Sequence, residues 1–163
     1  MRNIFLSITR PLSLPHWWQD VLLAVPRIYM GVLMSFYFGS SKFGLPWSPA
    51  EKNLGFFEVA FWFPGDVAEY GGVFALAPAF LAWMAAFSEA VGGLFLIIGF
   101  QTRLFSFLIA CTMVVAAFVQ HGGHELWQQL PATGFLWVSL FTMVLGSGRI
   151  GLDFIISKKI SHV

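Results

Sequence analysis

Glu89 is an acid set in an apolar run: 19 residues without a formal charge precede it (70–88), and 13 follow it (90–102) before Arg103. An ionisable side chain at membrane depth is costly and is kept by a partner or by a function. On a helix rising 1.5 Å per residue, the carboxylate lies ~21 Å from Arg103. Its neighbours one turn away are Ala85, Ala86, Gly92 and Gly93, with Ala82 a turn further. A carboxylate on a strip of small residues faces another helix, not lipid. The matching strip is Gly31, Ser35 and Gly39, each four apart. Pairing the two strips brings Glu89 near Lys42, Tyr37 and Ser35. Two roles then stay open for Glu89. As a structural anchor it neutralises Lys42 or an arginine and fixes helix register. As part of a site it binds a proton or accepts a hydrogen bond from a lipophilic ligand such as a quinol.

Other groups have weaker chemistry. His121-Gly-Gly-His124-Glu125 resembles a metal cluster, but the two glycines break the helical spacing that would align the histidines, and no third strong ligand adjoins them. That leaves interfacial hydrogen bonding, or a proton or ligand contact through His121. The expectation is no metal site. Gly-Ser-Gly-Arg-Ile-Gly at 146–151 matches G-x-G-x-x-G in letters only. The fingerprint needs a strand before it, and here an apolar helix precedes, so these glycines are read as ending that helix. Cys111, a lone thiol, forms no intrachain disulfide and is read as a small packing group.

The elements that position these residues follow from composition. Charged residues are 10% of the 163-residue chain and apolar ones 58%, with 19 Phe. A typical soluble domain carries roughly 25% charge; this chain cannot build a polar shell, and a net charge of +1 gives nucleic acid no basic surface. Its surroundings are the lipid bilayer. Crossing the hydrocarbon takes ~20 mostly apolar residues, and charge-free stretches at 28–41, 70–88, 104–124 and 126–148 place four transmembrane helices near 22–44, 73–100, 103–121 and 131–148. The fold class expected is all-α, a single four-helix membrane domain over 1–163. Pro26 either kinks the first helix or begins it, with Trp17 and Trp18 as an interfacial run-in. The apolar run after Arg2 is too short for a cleavable signal.

Loop charges divide by side. Arg2, Arg10, Arg27, Arg103, Arg149, Lys158 and Lys159 fall on one side; Lys42, Lys52, Glu51, Glu58, Asp66, Glu69 and Glu125 fall on the other. The positive-inside rule puts both termini in the cytoplasm and the 45–72 and 122–130 loops outside. The 45–72 loop is partly helical in expectation: Ser48-Pro-Ala-Glu51 is a capping box with Pro at the first helical position. It leads into Phe56, Phe57, Phe61, Trp62 and Phe63, read as an aromatic belt or as a lid over an outward cavity.

Taken in order, the polar pattern resembles the DoxX family of small bacterial membrane proteins. The matching pieces are Arg27-Ile-Tyr-Met-Gly31 with Phe38-Gly-Ser-Ser-Lys42-Phe43, then Glu89-Ala-Val-Gly92-Gly93, Gly99-Phe-Gln-Thr-Arg103, and Gly146-Ser-Gly-Arg-Ile-Gly-Leu152-Asp153. Gly151 stands where that family commonly has Ser, and the 45–72 loop is longer than a minimal member needs. The resemblance implies a four-helix bundle in the bacterial inner membrane that associates with redox systems, either as a subunit of a quinone-linked oxidoreductase or as a partner in an oxidative-stress assembly, with a redox partner protein as the expected contact. It carries Arg27, Lys42, Glu89, Arg103 and Asp153 as the family's polar positions, with Arg27, Arg103 and Asp153 read as a structural clasp at the cytoplasmic end. The leading expectation is a redox-associated membrane subunit that binds a quinone near Glu89, with Lys42, Tyr37, Ser35 and His121 around it and no intrinsic cofactor. The alternative is a non-catalytic scaffold or assembly factor for a partner protein. Whether the chain is itself an enzyme, and whether it forms homo-oligomers, stay open.

Overall fold

The structure, a computed structural model, describes residues 11–12, 14–123 and 125–161. Arg2, Arg10 and His124, used in the sequence reading, lie outside the described residues. The described residues form helices joined by irregular segments, and among them the one strand-like feature is an isolated bridge between Phe43 and Val59. In chain order the α-helices are α1 (Trp17–Leu33), α2 (Phe63–Glu69), α3 (Val73–Leu76), α4 (Pro78–Ile98), α5 (Thr102–Val115), α6 (Leu126–Leu145) and α7 (Leu152–Ser161). Both α1 and α5 continue without a break into π-helical turns, Met34–Gly39 and Ala116–Gln120.

Three helices are long and apolar enough to cross a membrane: Trp17–Gly39, Pro78–Ile98 and Thr102–Gln120. The chain is a multi-pass membrane protein. α6 has 20 residues, but Gln128, Gln129 and Pro131 in its first turns dilute its apolarity. α4 packs on α1 and its π turn and on α5; α5 makes its most extensive contact with α6, and α6 also touches α1. Two buried clusters lie inside. One joins Met30, Met34, Leu96, Phe105, Ile109, Met113, Ala117 and Ala132 from the four long helices. The other seats Phe43, Phe63 and Val67 on Ala82, Ala86 and Ala90 of α4.

The sequence boundaries shift in physical ways. Helix one runs from Trp17 to Gly39 rather than 22–44, with Pro26 inside it. Asp20 and Arg27 lie within the span because protein groups satisfy them. The Asp20 carboxylate accepts the Arg149 amide at 2.9 Å and lies 3.5 Å from its guanidinium. The buried Arg27 guanidinium donates to the carbonyls of Leu96 and Ile150. The second span begins at Pro78, not 73, because the α3 turn is separate. The last long helix spans 126–145 rather than 131–148. It ends at Gly146, where positive φ at Gly146 (76°) and Gly148 (65°) turns the chain.

The glycine strips set the depth of α1 against α4. A Cβ on Gly31 would lie 2.6 Å from the Gly93 carbonyl, and one on Gly39 would lie 2.5 Å from the Ala90 backbone. Gly39 therefore ends helix one level with the middle of α4, whose first twelve residues extend about 18 Å further. The 40–70 segment fills that space. It is not a loop laid over the top of the helices.

Irregular backbone is tolerated at such depth only where its polar groups find partners in the protein. Here they do. Gly44 N–H donates to Glu58 O (2.8 Å), Phe57 N–H to Gly44 O (2.8 Å) and Ala60 N–H to Lys42 O (2.8 Å). The Ser48 hydroxyl accepts from Leu45 N–H at 2.9 Å and donates to Phe43 O at 2.6 Å. The expected capping box does not form an α-helix; Ala50–Lys52 is one 3-10 turn. Trp47 donates its indole N–H to the Ser35 carbonyl at 3.2 Å, serving the π turn, and Trp83 does the same for Phe57 O at 3.2 Å.

Candidate functional site

Glu89 is the first residue to place. It stands eleven residues into α4 and is 3% exposed, turned away from lipid. Because helix one stops level with Ala90, Lys42 can reach down from the turn that follows it. Its ammonium meets Glu89 Oε2 at 2.7 Å. The same ammonium lies 5.0 Å from the centroid of the Phe63 ring, a cation–π contact contributed by α2. The Lys42 side chain keeps 20% exposure against 4% for Glu89.

Two cavities flank the pair. The first, about 180 Å³, is a groove between α4 and α5 closed at one end by α2 and α3. Its walls are mostly apolar (Phe63, Val67, Phe74, Leu81, Met84, Leu108), and its polar groups converge from Lys42, Glu89, Tyr70, Ser88, Thr112 and Gln120. Ser88 and Thr112 share a hydroxyl hydrogen bond of 2.7 Å across the two helices. Exposed Cys111 lines the open side. Burial, then the charges of Asp66 and Glu69, push the Tyr70 phenol above its ordinary value, so it remains a neutral hydroxyl. A mostly apolar cleft with a few convergent polar groups is the usual form of a small-molecule site.

The second cavity, about 290 Å³, lies on the other side of the pair. Met34, Phe38, Lys42, Glu89, Met113, Ala116, Gln120, His121, Gln128, Pro131, Ala132 and Phe135 line it. Lys42, Glu89, Ala116 and Gln120 border both cavities, so the ion pair stands in the wall between them. Both π turns border the second cavity. Such turns are rare and are often found at functional sites.

The structure brings together Glu89, Lys42 and His121 of the expected set. It does not bring in Tyr37, which is 66% exposed on the outer side of its π turn. Ser35 is fully buried where Gly93 packs against its backbone and lines neither cavity. Ser35 joins the strip as the 3.6-residue period places it, but its contact with Gly93 keeps it out of both cavities, whereas Tyr37 turns outward within the π turn.

Arg27, Arg103 and Asp153 gather at the opposite end, where the Asp153 carboxylate acts electrostatically on the Arg27 guanidinium. Asp153 Oδ1 accepts from Gln101 N–H (2.8 Å) and Oδ2 from Thr102 N–H (2.9 Å), which caps α5. Arg103 donates to Val144 O at 3.2 Å. The sequence reading missed the Asp20–Arg149 pair at that end. It also missed Tyr70 and the Ser88–Thr112 hydrogen bond in the groove. The acid at position 20 signalled the first; nothing local signalled the others, because Tyr70 depends on how 40–76 folds inward and Ser88–Thr112 on the register of α4 against α5. Among the described residues, no cluster of three His, Cys, Asp or Glu side chains could hold a metal ion.

No curated protein and no solved structure matches the chain. The DoxX family model matches residues 22–122. That stretch is more than half of the chain and includes Arg27, Lys42, Glu89, Arg103 and both cavity-forming π turns. By that match, the chain belongs to the DoxX family.

Proposed function

We propose that this chain is a four-helix subunit of a redox system in the bacterial inner membrane, and that it holds a quinone or similar lipophilic ligand in the groove beside Lys42 and Glu89. In this reading α6 is the fourth membrane span, and the end bearing 40–76 faces outward by the loop-charge argument. The observation that carries the reading is the buried Lys42–Glu89 pair exposed to an apolar groove. The pair offers a ring-bearing ligand a donor for a carbonyl oxygen and an acceptor for a hydroxyl. Tyr70, kept neutral, adds a hydroxyl.

Size limits what enters. A cavity of about 150 Å³ holds benzene, so the 180 Å³ groove fits one substituted ring. An isoprenoid tail would leave past Cys111 along the lipid-facing side. The chain positions the ligand, and a redox partner protein carries the electrons.

Titrating the purified protein with ubiquinone and menaquinone analogues tests this. Saturable binding that Glu89→Gln and Lys42→Ala each weaken supports the reading. Binding that neither change alters overturns it, and a partner that co-purifies with both variants would then favour a scaffold role.

A further inference from the structure

The second cavity has no part in the ligand reading, yet it touches the same ion pair. Its polar groups are ordered along its length. Lys42 and Glu89 stand at the inner end, and Gln120, His121 and Gln128, of which both glutamines are exposed, stand where the π turn after α5 meets the start of α6. Its floor is apolar: Met34, Met113, Ala132 and Phe135. Water occupies cavities that are both roomy and polar, making two to four hydrogen bonds in each place, whereas apolar cavities stay dry. At about 290 Å³, with polar groups at each end, this one meets both conditions. The groove on the other side shares Lys42, Glu89 and Gln120, and what sets it apart is that it opens at exposed Cys111 within the α5 span, toward lipid.

We propose that the second cavity is a water-filled vestibule that joins Glu89 to the aqueous compartment at the loop end, while the groove on the far side of the ion pair remains a lipid-side chamber. The pair is then a partition wetted on one face. Lys42 faces the carboxylate from the 40–44 turn, His121 lines the vestibule beyond the α5 π turn, and Tyr70 lines the groove. This deepens the proposed function and rests on it for one step. A hydroxyl proton that a groove ligand gives to the Glu89 carboxylate passes to vestibule water, which leaves the ligand oxyanion beside the Lys42 ammonium. Protons thus leave the ligand toward one side of the membrane, by way of the vestibule.

Thiol chemistry in lipid nanodiscs, with no ligand added, tests the vestibule. The native chain reports on the groove through Cys111. Cys111→Ala with Ala132→Cys, and Cys111→Ala with Met113→Cys, report on the vestibule floor. The second variant shrinks its side chain and reads out if the first fails to fold. Each is treated with a permanently cationic methanethiosulfonate and, separately, with a lipophilic maleimide, and adducts are counted by mass spectrometry. The vestibule thiols are expected to react with the cationic reagent on the order of tenfold faster than Cys111, since thiol modification follows solvent access. Cys111 is expected to prefer the maleimide. Folded vestibule variants that react with the cationic reagent no faster than Cys111 overturn the proposal. Because no ligand is present, that failure would leave the groove reading standing.

Discussion

Lys42 and Glu89 stabilise each other only as a pair. Removing one partner of a buried ion pair leaves an uncompensated charge and typically costs 3–5 kcal/mol, whereas replacing both is often neutral. Lys42 keeps some exposure, which favours the lower end. Lys42→Met is therefore expected to destabilise the protein by about 3 kcal/mol, and adding Glu89→Gln should restore most of that. Unfolding in mild detergent measures both; losses that simply add would contradict the pairing. Tyr70 gives a separate titration. Its proton is held more tightly in the fold than in the unfolded chain, so its stabilising contribution is complete below the ordinary phenol value of 10.0 and is lost as pH rises above it. The stability difference between the native chain and Tyr70→Phe is expected to shift toward the variant above that pH. A difference that stays flat through the alkaline range would show that Tyr70 is not enclosed.

The π turns and glycine contacts decide whether those residues meet. Gly39→Ala would put a methyl group 2.5 Å from the Ala90 backbone; forcing extra volume into a packed contact typically costs 1–3 kcal/mol. The melting temperature is expected to fall, and Lys42 to lift away from Glu89. A variant as stable as the native chain would mean that helix one can end at another level. This element also marks the limit of sequence reading. The inward turn of Glu89 and the pairing of the 31–39 and 82–93 strips were legible, because small residues at helical spacing leave few other partners. The end of helix one was not. Counting charges as boundaries placed Asp20 outside the span, yet Arg149 neutralises it from 129 residues away. Nor could local pattern show that Trp47 would satisfy Ser35, which is what lets 40–70 enter the helical layer. Tyr37 was misjudged for a related reason: a regular helix was assumed where the turn is wider.

Across the whole molecule, polar chemistry divides between two ends. One holds Lys42, Glu89 and the two cavities. The other holds Asp20, Arg27, Arg149 and Asp153, all spent on joining α1, α4, α5 and the turn before α7. Asp153 carries much of that joint, capping α5 with both oxygens while its amide donates to Gly99 O at 2.9 Å. Asp153→Ala is expected to cost about 0.5–2 kcal/mol, the usual range for a lost cap, and to leave ligand binding in the groove unchanged. Weakened binding with an unchanged melting temperature would instead place Asp153 in the site. The division lets the groove end stay open, because the distant end holds helix register.

The groove can be read directly through its own thiol. Cys111, the chain's single cysteine, lines the open side beside Thr112 and Leu108. Its alkylation by a lipophilic maleimide can be followed in nanodiscs with rising concentrations of a quinone analogue. Protection that saturates in the native chain and is lost in folded Glu89→Gln is the expected result. Alkylation that proceeds equally fast with and without the analogue, in native chain and variant alike, would contradict a ligand site at the Lys42–Glu89 pair.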